Sequence, residues 1–166
     1  MQYTSRTRVL GLPLVHVAIG GTDGATRGIA RGWIAVGDIA FGVLFALGGV
    51  AVGGVSVGGA SLGVLSVAGA AFGVWALGGL AVGVFALGGA AFAWWAADGG
   101  LAVATEFARG GEASARHVND VEASRYFEGS SFFRVSAWLA RHALWLVLLP
   151  MLLPVFQRLQ QRRRTP

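Results

Sequence analysis

The sequence of 166 residues contains no cysteine and no lysine. The absence of cysteine excludes disulfides and thiolate metal sites, and the absence of lysine excludes a P-loop for nucleotide phosphates. Charge is also scarce, because charged residues make up 13% of the chain, about half of the usual share. Between Ile39 and Ala97 there is no charged residue at all. Such a chain either contacts a membrane or buries most of its surface.

The few charges are unevenly distributed along the chain. Residues 98–130 carry three arginines and six acids, whereas residues 131–166 carry six arginines and no acid. The net charge of +5 is therefore a property of the C-terminal tail. This placement suits a lipid bilayer with anionic headgroups. No nucleic-acid partner is expected, because basic and aromatic residues do not alternate along the body of the chain.

What the chain has in abundance is a short repeat. Ten consecutive pentapeptides, from Ala46 to Trp95, place Ala or Ser first, and Gly third in all but two of them. In the second half the fourth position alternates between Val and Gly, which gives a ten-residue super-period. A fixed short period is typical of repeat architectures rather than of globular enzymes.

The spacing of the glycines favours strands over helices. On an α-helix, a five-residue step advances the face by about 140°, so the glycines would spiral around the helix, and each would cost about 1 kcal/mol relative to Ala. The sequence therefore predicts a mainly β fold: a pentapeptide-type β-solenoid of about three coils, with four pentapeptides per turn and a C-terminal helical segment. Glycines with positive φ are expected at its corners. The alternative is an all-α membrane bundle of three to four helices, because the uncharged stretch is long enough for transmembrane helices.

Alternation along each short strand separates the large side chains from the small ones. We expect the large residues to fill the interior, in pairs such as Trp75 with Leu77, while Ala, Ser, Gly and Val coat the outside. The other pairs expected inside are Ile39 with Phe41, Leu65 with Val67, and Phe85 with Leu87. The reversed arrangement, with Ala and Ser inside, would make a cylinder that faces lipid.

Composition divides the chain into four segments. Residues 1–27 form an N-terminal strand and turn, and residues 28–101 hold the apolar repeats. Residues 102–130 form a polar connector with a capping helix, in which the segment Asn119 to Glu122 supplies a cap and Gly129 a stop. Residues 131–166 form a hydrophobic helix with an Arg-rich tail.

The last segment is predicted to anchor the chain to a membrane. Trp138 to Phe156 would extend about 28 Å as a helix, close to the thickness of the hydrocarbon core. The segment either spans once or lies in the interface, and the third arrangement is an amphipathic helix packed on the solenoid. The predicted membrane-anchoring residues are Trp138, Arg141, Trp145, Arg158, Arg162, Arg163 and Arg164.

Patterns associated with catalysis occur but carry little weight. Residues 54–58 and 59–63 both match the G-x-S-x-G nucleophile elbow, yet a repeat of Gly and Ser generates such matches automatically. The three histidines are far apart and lack paired ligands at metal spacing. No catalytic residue, cofactor, metal or small-molecule substrate is therefore expected. His16 and Asp38 are candidate partner contacts because they interrupt apolar runs, although Asp38 could instead bond backbone amides or pair with Arg31.

The opening of the chain carries a resemblance. Residues 8–18 read RVLGLPLVHVA, and residues 35–40 read AVGDIA. These segments resemble a group of uncharacterised bacterial Gly-rich apolar-repeat proteins, which open with a GLPLVHVA-type strand and continue with AxGDIAxG-type repeats. The resemblance covers about Arg8 to Phe127. It implies a membrane-associated or structural protein and carries no catalytic residues.

Together these observations predict a non-enzymatic, membrane-associated scaffold that self-associates as a homo-oligomer through smooth apolar solenoid faces. It would lie at a bacterial inner membrane, with the Arg-rich C-terminus in the cytoplasm. The alternative is an integral membrane protein whose repeat is embedded in the bilayer, such as a channel or a transport accessory.

Overall fold

The structure is a computed structural model that describes residues 2–20, 28–139 and 141–142. Among these residues the fold is mainly β, with 72% strand and two short helices. The mainly β prediction is confirmed, and the all-α bundle is wrong. A glycine at nearly every fifth position disfavours helix throughout the repeat, while short extended segments tolerate it.

The N-terminal residues form four short strands instead of one. They are β1 (Gln2–Thr4), β2 (Arg8–Val9), β3 (Leu12–Pro13) and β4 (Val15–Ala18). Strands β2 and β3 pair as an antiparallel hairpin. Its turn places Leu10 and Gly11 at φ values of 52° and 80°. Strand β1 pairs antiparallel with β4, so the start of the chain folds back on the opening strand.

The repeat forms one continuous β segment, β5 (Ile29–Val103), and two shorter strands follow it, β6 (Phe107–Ser114) and β7 (His117–Val118). The five-stranded sheet has the order β1-β4-β5-β6-β7. All of its pairings after the first are parallel. In the pairing of β5 with β6, Ala97 lies beside Ala108, and in the pairing of β6 with β7, Phe107 lies beside His117. The backbones in these two pairings are thus eleven and ten residues apart in sequence, whereas β4 and β5 pair at a separation of 19 residues.

The same spacing recurs inside β5. A Cβ atom added to Gly58, Gly73 or Gly83 would overlap the carbonyl oxygen of the residue ten positions earlier. The rings of Trp75 and Phe85, also ten residues apart, stack with centroids 6.4 Å apart. We call each ten- or eleven-residue return a rung. The expected turn of four pentapeptides is wrong, because two pentapeptides complete a rung.

The glycines of the repeat serve close approach rather than unusual backbone angles. Among the described glycines, only Gly11 and Gly20 have positive φ, and both precede the repeat. The third-position glycines instead lie so close to the preceding rung that a side chain would displace its carbonyl group. The expected positive φ at repeat corners is therefore wrong.

The core consists of small side chains. The first residue of every pentapeptide from Ala35 to Ala91 is buried, and each is Ala or Ser. Eight of the alanines, from Ala71 to Ala108, form one cluster, and Ala18 to Ala51 form another. The predicted interior of large residues is wrong: Trp75, Phe41 and Val67 are all exposed.

The polar connector contains more regular secondary structure than its composition suggests. Strands β6 and β7 occupy much of it, before helix α1 (Val121–Gly129) and a second helix, α2, over residues 131–139. Asp120 begins α1, because its Oδ1 accepts a hydrogen bond from the Ala123 amide at 2.7 Å. This is the predicted cap region. The chain divides into two compact units, Met1–Tyr126 and Phe127–Pro166.

Candidate functional surface

The most unusual feature of the repeat is the distribution of polar and apolar side chains. Its second, fourth and fifth positions carry large apolar residues that point outward, and Leu62 and Trp94 are 57% and 74% exposed. Thirteen further side chains of this kind are exposed: Phe41, Val43, Leu44, Leu47, Val50, Val64, Val67, Phe72, Val74, Trp75, Leu80, Phe92 and Trp95. We call residues 39–97 the apolar stack. Its outer surface is covered by aliphatic and aromatic groups.

The polar side chains of the apolar stack lie inside it. Apart from tryptophan, the only residues there with polar side chains are Ser56, Ser61 and Ser66, and all three are buried. Ser61 and Ser66 hydrogen-bond to each other through their hydroxyls, and the Ser66 hydroxyl also donates to the Ser61 carbonyl at 3.1 Å. The Ser56 hydroxyl has no hydrogen-bond partner within the described part of the chain. The serines of both G-x-S-x-G matches are thus buried.

Aromatic rings are concentrated at the C-terminal end of the stack. Trp95 meets Phe107 edge to face at 6.3 Å, and Phe107 stacks on Tyr126 at 4.4 Å. His117 lies against the same Phe107 ring at 5.5 Å. Tyr126 belongs to α1, so the start of this helix covers the last strands of its unit. Burial raises the pKa of the Tyr126 phenol above its ordinary value.

Charged side chains mark both ends of the apolar stack. At the N-terminal end, Asp38 is half-buried, and the Arg31 guanidinium lies 5.8 Å from the centre of the Phe41 ring. At the C-terminal end, Asp98 forms an ion pair with Arg109 on the neighbouring strand. The Arg109 side chain is 37% exposed and that of Asp98 18%, so the pair is partly buried.

A further ion pair and two contacts of His117 with carboxylates follow beyond this C-terminal end. Arg116 pairs with Glu106 at 3.1 Å, and His117 Nδ1 lies 2.9 Å from Asp120. The Ala123 amide and His117 hold the pKa of Asp120 below its ordinary value. The C-terminal end of the unit is therefore a charged, water-compatible surface.

Asp38 is hydrogen-bonded to the backbone on both sides of residues 21–27. Its Oδ2 accepts hydrogen bonds from the amides of Gly20, at 3.1 Å, and Gly28, at 2.8 Å. These two glycines flank residues 21–27, so one carboxylate joins both sides of that segment. Of the two expected bonding modes, the structure shows bonding to backbone amides.

His16 is likewise engaged with the backbone. Its Nδ1 accepts a hydrogen bond from the Arg31 amide at 2.9 Å, on the rung beside β4. The structure thus places His16 and Asp38 about the same N-terminal end of the repeat. Their proposed contact with a partner stays a prediction.

Only part of the predicted membrane-anchoring set falls on described residues. Trp138 is 57% exposed, and Arg141 is also exposed. The His142 ring stacks on Trp138, and its Nδ1 donates to the Trp138 carbonyl at 2.8 Å. The other predicted anchors, Trp145, Arg158, Arg162, Arg163 and Arg164, lie outside the described residues. Within residues 2–20, 28–139 and 141–142, no helix has the length and apolar character needed to cross a bilayer.

Sequence reasoning identified the uncharged stretch but assigned its large residues to the wrong side. The signal that would have corrected this is the invariance in size at the first position, which tolerates a hydroxyl but never a larger side chain. A position limited by volume and not by polarity is a core position in a very narrow interior. Comparison with protein families, with curated proteins and with solved structures found no match to this chain.

Proposed function

We propose that this chain is a non-enzymatic membrane structural protein whose repeat is itself in contact with lipid. The observation that carries the proposal is the inverted distribution of side chains in the apolar stack. Serine hydroxyls face the core, while Leu, Val, Phe and Trp side chains face outward over the whole charge-free length. Monomeric soluble proteins rarely expose a contiguous apolar surface of this kind.

The architecture that best accounts for these contacts is a two-sided β-solenoid with ten residues per turn. Each rung contributes two short strands, and the two columns of Ala and Ser face each other between them. The ten-residue stacking of Trp75 on Phe85 and the ten-residue glycine contacts support this arrangement.

A solenoid also meets the main requirement of a lipid environment, which is that backbone polar groups bond within the protein. In the proposed arrangement, the N–H and C=O groups of each rung bond to the rungs on either side. Unpaired backbone groups are then confined to the two ends, where β1 and β7 lie. The sides of the stack present only apolar side chains to their surroundings.

Transfer of the exposed apolar side chains from water into lipid would also lower the free energy of the protein. Fully burying a side chain of the size of Val, Leu or Phe contributes about 1.5–3 kcal/mol. Each of the outward residues is about half-exposed, so each would gain roughly 1 kcal/mol on transfer into hydrocarbon. Fifteen such side chains supply enough to hold the protein at the membrane without a separate anchor.

The second candidate is a scaffold held at the membrane by residues 131–166 and self-associating through the apolar faces. The exposed Trp138 and Arg141 on α2 favour it, because aromatic and basic residues are common at the headgroup level. In this arrangement the apolar stack is covered by a second copy of the chain and not by lipid.

Truncation distinguishes the two candidates. We would express the full chain and a chain ending at Ser130, and extract the membranes at alkaline pH. If the repeat lies in lipid, both proteins stay in the membrane pellet. Release of the truncated chain with an intact β-type circular dichroism spectrum would instead favour the anchored scaffold. A truncated chain without that spectrum calls for the same experiment on the full chain with the four tail arginines replaced by glutamine.

A further inference from the structure

The length of the apolar stack can be measured in rungs. Asp38, Gly49, Gly59, Gly69, Gly79, Gly89 and Gly100 form a column. At each of its glycines an added Cβ would lie about 3 Å from the carbonyl oxygen of the preceding member. This column crosses six steps, and Asp98 belongs to the last rung. At about 4.8 Å per step, the distance between the Asp38 and Asp98 rungs is about 29 Å.

This distance agrees with the thickness of the hydrocarbon core of a bilayer, about 30 Å. The agreement is informative because charge is absent from every rung in between and returns at both limits. Beyond the Asp38 rung come Arg31 and the strands β4 and β1, with Arg6 and Arg8 on the loop and hairpin between them. Beyond Asp98 come Arg109 on β6, the ion pair of Arg116 with Glu106, and the cap of α1.

Aromatic residues also lie where a bilayer would place them. Trp94 and Trp95 lie four and three residues before Asp98, and Trp94 is the most exposed tryptophan of the repeat. At the opposite end, the indole N–H of Trp33 donates to the Val9 carbonyl at 2.9 Å. Amphipathic rings are enriched at the two membrane interfaces. Trp75 departs from this pattern, because it lies in the middle of the stack.

We propose that the apolar stack crosses the bilayer with its long axis along the membrane normal, so that the Asp38 end and the Asp98–Arg109 end lie at opposite interfaces. The proposal rests on the lipid contact proposed above and adds its geometry. The occupant of the apolar surface is then the hydrocarbon of the bilayer on all sides. A stack lying in the plane of the membrane would leave one of its faces, with its Leu and Phe side chains, in water.

The chain offers a clean test because it has no cysteine. Three single-cysteine variants of the full chain are needed: Thr4→Cys at the N-terminal end, Leu62→Cys within the stack, and Ser114→Cys at the C-terminal end. All three positions are exposed in the fold, so protection from a reagent reports the surroundings. Each variant is labelled with a membrane-impermeant maleimide in sealed right-side-out vesicles, in sealed inverted vesicles, and after denaturation in detergent. The parent chain is the unlabelled control.

If the stack spans the bilayer, Thr4→Cys and Ser114→Cys are labelled in vesicles of opposite orientation, and Leu62→Cys is labelled only after denaturation. Labelling of both ends from the same side, with Leu62→Cys still protected, would overturn the spanning geometry and leave the proposed lipid contact in place. Labelling of Leu62→Cys in sealed vesicles would overturn both. Protection of Leu62→Cys in a protein that leaves the membrane without detergent would assign the surface to a second copy. Val74→Cys serves in place of Leu62→Cys if the latter loses its β-type spectrum.

Discussion

The narrow alanine core makes a sharp prediction about where the chain accepts a larger side chain. Ala76 faces inward and is completely buried in the cluster that includes Ala71 and Ala81. Ala70 belongs to the preceding rung at a fifth, outward position and is half-exposed. The substitution of Ala by Val at each site adds the same two methyl groups, so the pair isolates the direction in which the side chain points.

The expected cost of Ala76→Val follows from the lack of free space. Inserting methyl groups into a packed core typically costs 1–3 kcal/mol, and here neighbouring alanine columns and the adjacent rungs prevent the core from expanding. For a protein of this size, about 1 kcal/mol corresponds to about 2–4 °C in melting temperature. We therefore expect Ala76→Val to lower the melting temperature by roughly 2–12 °C. Ala70→Val should change the unfolding free energy by less than about 0.5 kcal/mol.

The assay is thermal unfolding of the full chain in one detergent, followed by the β-type circular dichroism signal. Both variants and the parent chain are measured in the same micelles, because detergent binding affects the melting temperature. The reasoning would be refuted if Ala70→Val destabilised the protein as much as Ala76→Val. That result would mean that the fifth position faces the core, as the large residues were first expected to do.

Other substitutions test the remaining structural features by the same thermal assay. Ser56→Ala should raise the unfolding free energy by about 1 kcal/mol, because it removes a buried hydroxyl that has no partner among the described residues; a loss of stability would reveal a hidden hydrogen bond. Gly73→Ala should destabilise the fold through overlap with the preceding rung, while Gly111→Ala, whose added Cβ has 3.3 Å to its nearest atom, should cost less; equal effects would count against the stacking. Asp38→Ala should cost about 1–3 kcal/mol, because two amides lose their acceptor; an unchanged melting temperature would argue against this role. Burial raises the pKa of Tyr126, so the stability that its neutral phenol contributes is complete below the ordinary pKa of 10.0 and is lost as the pH rises through the higher pKa of the folded protein. An absorbance titration should show a late phenol ionisation, and Tyr126→Phe should remove it.

The sequence was sufficient to predict strands, because a glycine every five residues disfavours a helix and suits stacked backbones. It also contained the rung length. The alternation of Val74, Gly79, Val84 and Gly89 marks a ten-residue period, which is the return distance seen in the structure. The expected four-pentapeptide turn was twice as long as this return.

Alternation alone could not show which set of side chains faces the interior. Period-two alternation separates the side chains into two sets, and only the available volume decides which set faces inward. The N-terminal hairpin could not be predicted from the sequence either, because Leu10 adopts a positive φ that leucine rarely shows. By contrast, the cap at Asp120 was predictable, since a short acceptor before a helix bonds the amide three residues later whatever the tertiary context.

The central claim is that Leu62 and its outward neighbours lie in hydrocarbon, and spin labelling measures this directly. A nitroxide on Leu62→Cys in the full chain, reconstituted into bilayers, reports its collisions with apolar oxygen and with a water-soluble nickel complex. High accessibility to oxygen with low accessibility to nickel, reversed for a nitroxide on Ser114→Cys, is the result that this account predicts. High accessibility of the Leu62 site to nickel would place the apolar stack in water and contradict it.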